Sequence, residues 1–290
     1  YYIDDLAVNA LDNLNFKLGY YDEDEKTRSF NNVIIGENYT IKKSTNIQKL
    51  KNEINYYKNI PQQLEKYFPK LLDEKQSWYK METLHGISLE YLFINSLMQT
   101  KHLNILFSSL QDMHKFSRKS FNKDFIYKNY KSKVLERIKL VNSTLITKNS
   151  NFIKLILKKL EEYENKKLGQ ATFVHGDPVF SNIIKNTSDN IKFIDPRGGY
   201  LSKFSIFGDK FYDYSKVYQS LLGYHQIINN KSLNNTYVAE LKQYYEKLII
   251  NTFGVERLKH IKVITSSLYV SLIPLHHQKH QEQMLYVAKK

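Results

Sequence analysis

The alternation of apolar and polar positions divides the chain into a short mixed part and a long, mainly helical part. Ile3, Leu6, Ala7, Ala10, Leu11 and Leu14 have the spacing of one short amphipathic helix over residues 1–20. The run Asp22-Glu23-Asp24-Glu25-Lys26 reads as a solvated loop. Two β-prone runs follow, Asn32 to Ile35 and Tyr39 to Lys43, and Gly36-Glu37-Asn38 between them reads as a hairpin turn. Ile47, Leu50, Ile54 and Tyr57 lie on one face of a helix over Asn46 to Asn59, which Pro61 stops. A short strand is expected at Ser77 to Met81.

From Ser88 onward the pattern is mainly helical. Leu103, Leu106, Phe107, Leu110 and Met113 make one apolar face, and residues 125–166 read as one or two long Lys-rich amphipathic helices. Two apolar pieces, Ala171 to Val174 and Ile191 to Ile194, interrupt the helices, and each leads straight into a polar cluster. After Asp209 helices resume through to Lys290. There is no linker-like tract and no internal repeat. The expected fold is α+β, with a small sheet-containing N-terminal part and a large helical part carrying a few strands at its polar clusters.

Composition narrows the chemistry more than the fold. With 290 residues and 42% hydrophobic positions, the chain can bury a large core, so dominant disorder is excluded. It has no cysteine, which excludes disulfides and Cys-based zinc or nucleophile chemistry and fits a reducing, cytoplasmic compartment. The net charge of +14 attracts phosphates, nucleic acid or anionic lipid. The lysines are spread along the chain rather than blocked, however, which suits a solvated surface. No aromatic-basic motif or recognition-helix signature supports a nucleic-acid partner. The longest apolar stretch, Ser267 to Leu275, is too short for a membrane span and contains Pro274. The chain begins at Tyr1, so it is read as a piece of a longer protein, with residues 1–20 as a linker helix from an upstream domain.

One constellation carries chemistry. The segment His175-Gly176-Asp177-Pro178-Val179-Phe180-Ser181-Asn182 is followed, thirteen residues after Asn182, by Asp195 at the end of an apolar strand. Phosphoryl transfer needs a group that orients the acceptor hydroxyl and takes its proton, and oxygen ligands that hold Mg²⁺ against the nucleotide phosphates. An Asp followed by four residues and an Asn meets that need when both lie on one tight loop. The Asp then points at the acceptor, and the Asn amide oxygen is a hard ligand for Mg²⁺. Asp195 supplies a charged metal ligand. The plainer account makes His175 a cap and Asp177 and Asn182 turn residues.

These residues resemble the catalytic loop of the aminoglycoside phosphotransferase and choline kinase families, which share the bilobal protein-kinase-like fold. Ile194-Asp195-Pro196-Arg197-Gly198 resembles the segment that replaces the protein kinases' Asp-Phe-Gly signature. Gly208-Asp209-Lys210-Phe211-Tyr212-Asp213-Tyr214 resembles the downstream Gly-Asp-x-x-Tyr-Asp segment, whose last Asp, here Asp213, braces the catalytic loop. The resemblance implies an N-lobe over residues 1–82 that binds nucleotide and a C-lobe over 83–290 that carries the catalytic loop and acceptor-binding helices. His175 and Asp177 fall in the catalytic position, with Asp177 as base. Asn182 and Asp195 fall in the metal position.

Tyr39-Thr40-Ile41-Lys42 resembles the strand carrying the phosphate-binding Lys. Lys43 is the rival, because a slip of one residue exchanges the faces of a strand. Lys42 is preferred because an apolar residue precedes it. Glu53 resembles the helix Glu that pairs with that Lys. Lys80-Met81-Glu82-Thr83-Leu84-His85-Gly86 resembles the hinge. There the Glu82 carbonyl and Leu84 amide would face the base, with Met81 behind it.

Leu110-Gln111-Asp112-Met113-His114 matches a helix common in these families, with His114 packed in the core. No Gly-x-Gly-x-x-Gly loop precedes Lys42; only Gly19 and Gly36 are available. Arg197 contacts phosphate or a charged acceptor on one reading and ties down its own loop on the other.

The implied activity is transfer of the γ-phosphoryl of ATP or GTP, with Mg²⁺, to a hydroxyl of a small molecule. The acceptor would be an amino alcohol, a sugar or an aminoglycoside, within a surface-polysaccharide or lipid-headgroup pathway. A choline site would need an aromatic cage, for which Tyr200, Tyr212, Tyr218 and Tyr224 are candidates. Aminoglycoside sites favour acidic linings, which a chain of this charge matches poorly. The rivals are a kinase-like nucleotide-binding scaffold without turnover and a metal-dependent hydrolase using His175, Asp177 and Asp195. The His276, His277, His280 cluster is read as polar surface.

Overall fold

The computed structural model describes residues 31–117, 123–141, 143–200 and 203–290 of the chain. The helix read over residues 1–20, the acidic run after it and Gly19 lie outside them. Strands β1 (Asn31–Ile35) and β2 (Tyr39–Ser44) pair antiparallel through the turn at Gly36-Glu37-Asn38. The turn closes with the Gly36 N–H donating to Tyr39 O at 2.9 Å. Helix α1 (Ile47–Lys58) begins where the Asn46 side chain accepts the Lys49 N–H, and it buries Leu50, Ile54 and Tyr57 as its spacing requires.

Strands β3 (Leu71–Lys75) and β4 (Trp78–Glu82) complete a four-stranded antiparallel sheet ordered β1-β2-β4-β3. The apolar pattern does not show β3. It is an edge strand with mostly polar residues, and its register shifts between Leu71 and Asp73, so the period of two is broken.

The second part starts with β5 (Ile87–Ser88) and helices α2 (Leu89–Ile94) and α3 (Thr100–His114). The predicted apolar face of α3 is buried throughout. Residues 125–166 do not form one or two long helices. A 3₁₀ turn at Lys123–Asn129 precedes three separate helices, α4 (Lys131–Ile138), α5 (Ser143–Lys148) and α6 (Ser150–Asn165). The helical spacing continues across the breaks, but the chain folds back so that Val134 of α4 and Ile156 and Leu160 of α6 enter one core. The Lys131 N–H donates to the Glu164 carboxylate across that fold.

The two interrupting apolar pieces are strands. β6 (Ala171–Phe173) pairs with β11 (Phe207–Asp209). β7 (Ile183–Lys185) and β8 (Ile191–Phe193) make a three-stranded sheet with β5. A small ribbon, β9 (Gly199–Tyr200) and β10 (Lys203–Phe204), lies between β8 and β11.

Helices α7 (Lys210–Leu221), α8 (Tyr224–Ile228), α9 (Asn235–Phe253), α10 (Val255–Leu272) and α11 (Gln278–Lys289) complete the chain. Every residue of α7 from Phe211 to Leu221 is buried, so this helix runs through the centre of the helical lobe. No helix among the described residues is long and apolar enough to cross a membrane.

Candidate active site

Two polar clusters meet between the lobes. In the first, the alternation of β2 turns Lys42 inward, where it is 2% exposed, and turns Lys43 out to solvent. The Lys42 Nζ lies 2.9 Å from Glu53 Oε2 on α1 and 2.8 Å from Asp195 Oδ1 at the end of β8. Glu53 is itself buried, accepts from the Tyr79 hydroxyl at 3.3 Å, and lies 3.4 Å from the Lys49 Nζ. Burial alone would lower the Lys42 pKa, but the carboxylates of Asp195 and Glu53 override it and hold the ammonium above its ordinary value. Burial likewise acts to raise the Asp195 pKa, and Lys42 more than offsets it, so the carboxyl sits below the usual range.

Asp195 has a positive φ of 54°, a strained conformation that Asp tolerates better than most residues and that clusters at functional sites.

The second cluster is the 175–182 loop, held by backbone bonds to the Asp195 segment. Arg197 N–H donates to His175 O at 3.0 Å, and Ile194 N–H donates to Asn182 O at 3.0 Å. His175 is fully buried and stacks on Phe68. Its Nδ1 accepts the Asp177 N–H at 3.2 Å, which puts the ring proton on Nε2, 2.9 Å from Ile194 O. Burial pushes the imidazole pKa down, keeping it neutral. Both ring nitrogens of His175 are thus committed to the backbone, whereas Asp177 keeps its carboxylate on the accessible side.

Asp177 is partly exposed, and Asn182 turns its Nδ2 onto Asp177 O at 2.9 Å, leaving Oδ1 as an acceptor.

Asp213, buried on α7, accepts from His175 N at 2.9 Å, Gly176 N at 2.8 Å and His114 Nε2 at 3.1 Å. Gly176 has φ +84°, and a Cβ there would lie 2.8 Å from the Arg197 Cβ, so the loop requires glycine.

At the hinge, Met81 is buried in β4. The Glu82 side chain pairs with Lys192 at 2.5 Å, which leaves only its backbone for a ligand. Thr83 Oγ1 donates to Gly36 O at 2.7 Å and ties the hinge to the β1–β2 turn. A cavity of about 680 Å³ adjoins the hinge, lined by Glu82, Thr83, Leu84, Lys192 and residues of α3. None of Lys42, Asp177, Asn182 and Asp195 lines it, so it is separate from the two clusters.

No protein-family model matches the sequence, and no curated protein sequence matches it. Solved structures do. A thermostable variant of aminoglycoside phosphotransferase APH(4)-Ia, in ternary complex with ADP and hygromycin B, superposes with a TM-score of 0.61 at 12% identity, covering 90% of this chain and 92% of that one. An ethanolamine kinase of Plasmodium vivax gives 0.56 at 12%, covering 91% and 81%. The choline kinase LicA of Streptococcus pneumoniae gives 0.54 at 11%, covering 89% and 88%. The chain has the fold of the choline, ethanolamine and aminoglycoside kinases.

Within this small-molecule kinase fold, three features escaped sequence reasoning. Lys216 Nζ lies 3.0 Å from Asp177 Oδ1. It follows Asp213 by three positions, one turn along the same face of α7, and that spacing is the signal that could have found it. Lys133 on α4 and Arg197 both donate to the Tyr212 hydroxyl at 2.9 Å. Ser220 Oγ accepts the Phe180 N–H of the loop and meets His225, whose other ring nitrogen lies 2.9 Å from Glu90.

Three of the four candidate cage tyrosines have other partners. Tyr212 is buried with cations against its ring, Tyr218 stacks on Tyr245 and bonds Glu246, and Tyr224 packs on His225 and His276. Of the C-terminal histidines, His280 is buried against Asn230 rather than at the surface. Among the described residues no group of three His, Cys, Asp or Glu side chains could hold a metal.

Proposed function

We propose that the chain is a phosphotransferase that moves the γ-phosphoryl group of ATP or GTP to a hydroxyl of a small molecule. The observation that carries this reading is the meeting of Lys42, paired with Glu53 and Asp195, with a loop that presents Asp177 and Asn182. The N-lobe, ending at residue 82, would hold the nucleotide. Lys42 rather than Lys43 would hold its phosphates, and the Glu82 carbonyl and Leu84 amide would meet the base with Met81 behind it. The C-lobe, from residue 83, would supply catalysis and the acceptor site.

The donors fit a hard divalent cation. Asn182 Oδ1 and the Asp195 carboxylate are oxygen ligands, and two protein ligands suffice where phosphate oxygens and water complete the shell. Mg²⁺ bound there would neutralise charge on the transferring group. Asp177 would orient the acceptor hydroxyl and take its proton as the new P–O bond forms and the bond to the nucleoside diphosphate breaks. Asp213, His175 and His114 position the loop. The fold alone is shared with the ADP complex named above; the reaction is argued from these residues. A cytoplasmic location, which gives access to ATP, fits a chain without cysteine, and a surface-polysaccharide or headgroup acceptor fits the reaction class.

The test is ATP consumption across a panel of alcohol acceptors, with Mg·ATP binding measured by calorimetry. Asp177→Asn should lower turnover by at least about 10³-fold while the affinity for Mg·ATP stays within about three-fold. A variant that retains turnover sinks the role of Asp177. Wild-type protein that binds Mg·ATP without consuming it with any acceptor leaves the scaffold reading in its place.

A further inference from the structure

Beside Asp177 the helical lobe gathers cations. Lys133 Nζ, Arg197 Cζ and Lys216 Nζ lie 5.4, 6.0 and 5.9 Å from the centre of the Tyr212 ring. Lys133 and Arg197 donate to its hydroxyl, and Lys216 pairs with Asp177. The three come from separate segments, α4, the loop after Asp195, and α7. Tyr212 is fully buried and Lys216 nearly so, whereas Lys133, Arg197 and Asp177 are partly exposed. The cluster therefore has an interior frame and an accessible edge.

Like charges held this close repel. Burial, then the charges of Arg197 and Lys216, keep the Lys133 pKa well below the ordinary Lys range. Lys133 has no carboxylate within ion-pair distance among the described residues; its bonded partner is a neutral hydroxyl. One carboxylate, Asp177, answers Lys216 and opposes the shift at Lys133 as a smaller effect, so the arrangement is costly unless a further anion sits against it. The nucleotide side is different, because there Lys42 already has two carboxylate partners.

We propose that the acceptor is a small alcohol bearing an oxyanion, held by Lys133, Arg197 and Lys216 so that its hydroxyl reaches Asp177. This rests on the phosphotransferase reading above. In the step, the hydroxyl proton passes to Asp177, the acceptor oxygen bonds the γ-phosphorus, and the nucleoside diphosphate leaves. The product carries its original oxyanion and a new phosphate ester. A quaternary ammonium or a polycationic acceptor would meet three like charges here, and the Tyr212 ring is already covered by the protein's own cations.

The experiment compares matched acceptors (glycerol, ethanolamine, choline, glycerol 3-phosphate and glycerate) in steady-state ATP consumption by the full chain. Glycerol 3-phosphate or glycerate should exceed glycerol in kcat/KM by at least about ten-fold. Lys133→Gln should reduce that anion-to-neutral ratio by about ten-fold, and Lys133→Arg should restore it. Equal use of cationic or neutral acceptors, or a ratio unmoved by Lys133→Gln, overturns the proposal. Two arms separate a phosphate from a carboxylate as the favoured oxyanion.

A thermal-shift titration with inorganic phosphate covers the case in which no acceptor turns over. Protection of the wild type that is lost in Lys133→Gln and kept in Lys133→Arg supports the oxyanion site, and no difference among the three overturns it. Failure to bind or consume Mg·ATP in the same preparations would instead sink the phosphotransferase reading.

Discussion

Replacing Asp213 by Asn keeps the size of the side chain and removes its charge at the point where α7 holds the 175–182 loop. Both carboxylate oxygens are in use. Oδ1 accepts from Gly176 N, and Oδ2 accepts from His175 N and His114 Nε2. An amide has one acceptor oxygen. Its better orientation keeps that oxygen toward His175 and His114 and turns the NH₂ group onto the Gly176 N–H. One buried backbone donor then loses its partner, at a cost of about 1–3 kcal/mol. Converting the other two bonds from charge-assisted to neutral adds roughly 1 kcal/mol, so Asp213→Asn should destabilise the fold by about 2–4 kcal/mol.

Urea titration at pH 7 measures this as a lower midpoint with an unchanged slope. Turnover of the folded variant should fall as well, by about 10²-fold, because a displacement of about 1 Å at a reacting group is worth about that much in rate. ATP consumption is therefore compared at a urea concentration and temperature where both proteins are folded. A midpoint shift equivalent to less than about 0.5 kcal/mol, the scale of an ordinary surface change, refutes the bracing role. So does a destabilised variant that keeps full turnover.

Two further outcomes follow from the same loop. Gly176→Ala should destabilise by about 1–2 kcal/mol for the left-handed backbone alone, and by more because the new Cβ meets the Arg197 side chain at 2.8 Å. Chemical denaturation checks it, and a neutral result means that the loop has another conformation available. His175 gives a pH signature. Burial holds its imidazole below the ordinary 6.5, so its contribution to stability is complete above that value and is lost as pH falls through it. The unfolding midpoint should fall between pH 7 and pH 5, and His175→Gln should flatten that slope. Parallel pH profiles for the two proteins exclude His175 as a source.

Local patterns made much of this fold legible. The period of two in Tyr39–Ser44 and the helical spacing after Asn46 both locate their elements, and together they bring Lys42 and Glu53 to one side of the sheet. The apolar strands before His175 and Asp195 are short but sharply bounded. What escaped depends on contacts between segments far apart in the chain. β3 has an interrupted period and polar edge residues, so its pairing with β4 is tertiary information. The breaks between α4, α5 and α6 are set by the fold-back that places Lys131 against Glu164. Lys133 reads as an ordinary helix lysine in a Lys-rich chain, since nothing local records that α4 reaches Tyr212, whereas Lys216 is marked locally by its spacing from Asp213 on α7. The contacts of His175 escaped for a related reason: a motif names a residue's place on a loop but not which way its ring nitrogens point.

The distribution of charge across the cleft links these observations. On the sheet side the carboxylates of Glu53 and Asp195 answer Lys42 and Lys49, so that side is balanced within the protein. On the helical side Lys133, Arg197 and Lys216 gather around Tyr212, and Lys216 pairs with Asp177. The chain's net charge of +14 says nothing about where that excess lies, because evenly spread surface lysines would give the same sum. Partly buried cations differ from surface ones in that water screens them poorly. The field at Asp177 then depends on nearby side chains more than on the charge of the whole chain. It would favour an anionic acceptor over a cationic one, and it would lose strength with added salt more slowly than a surface field does.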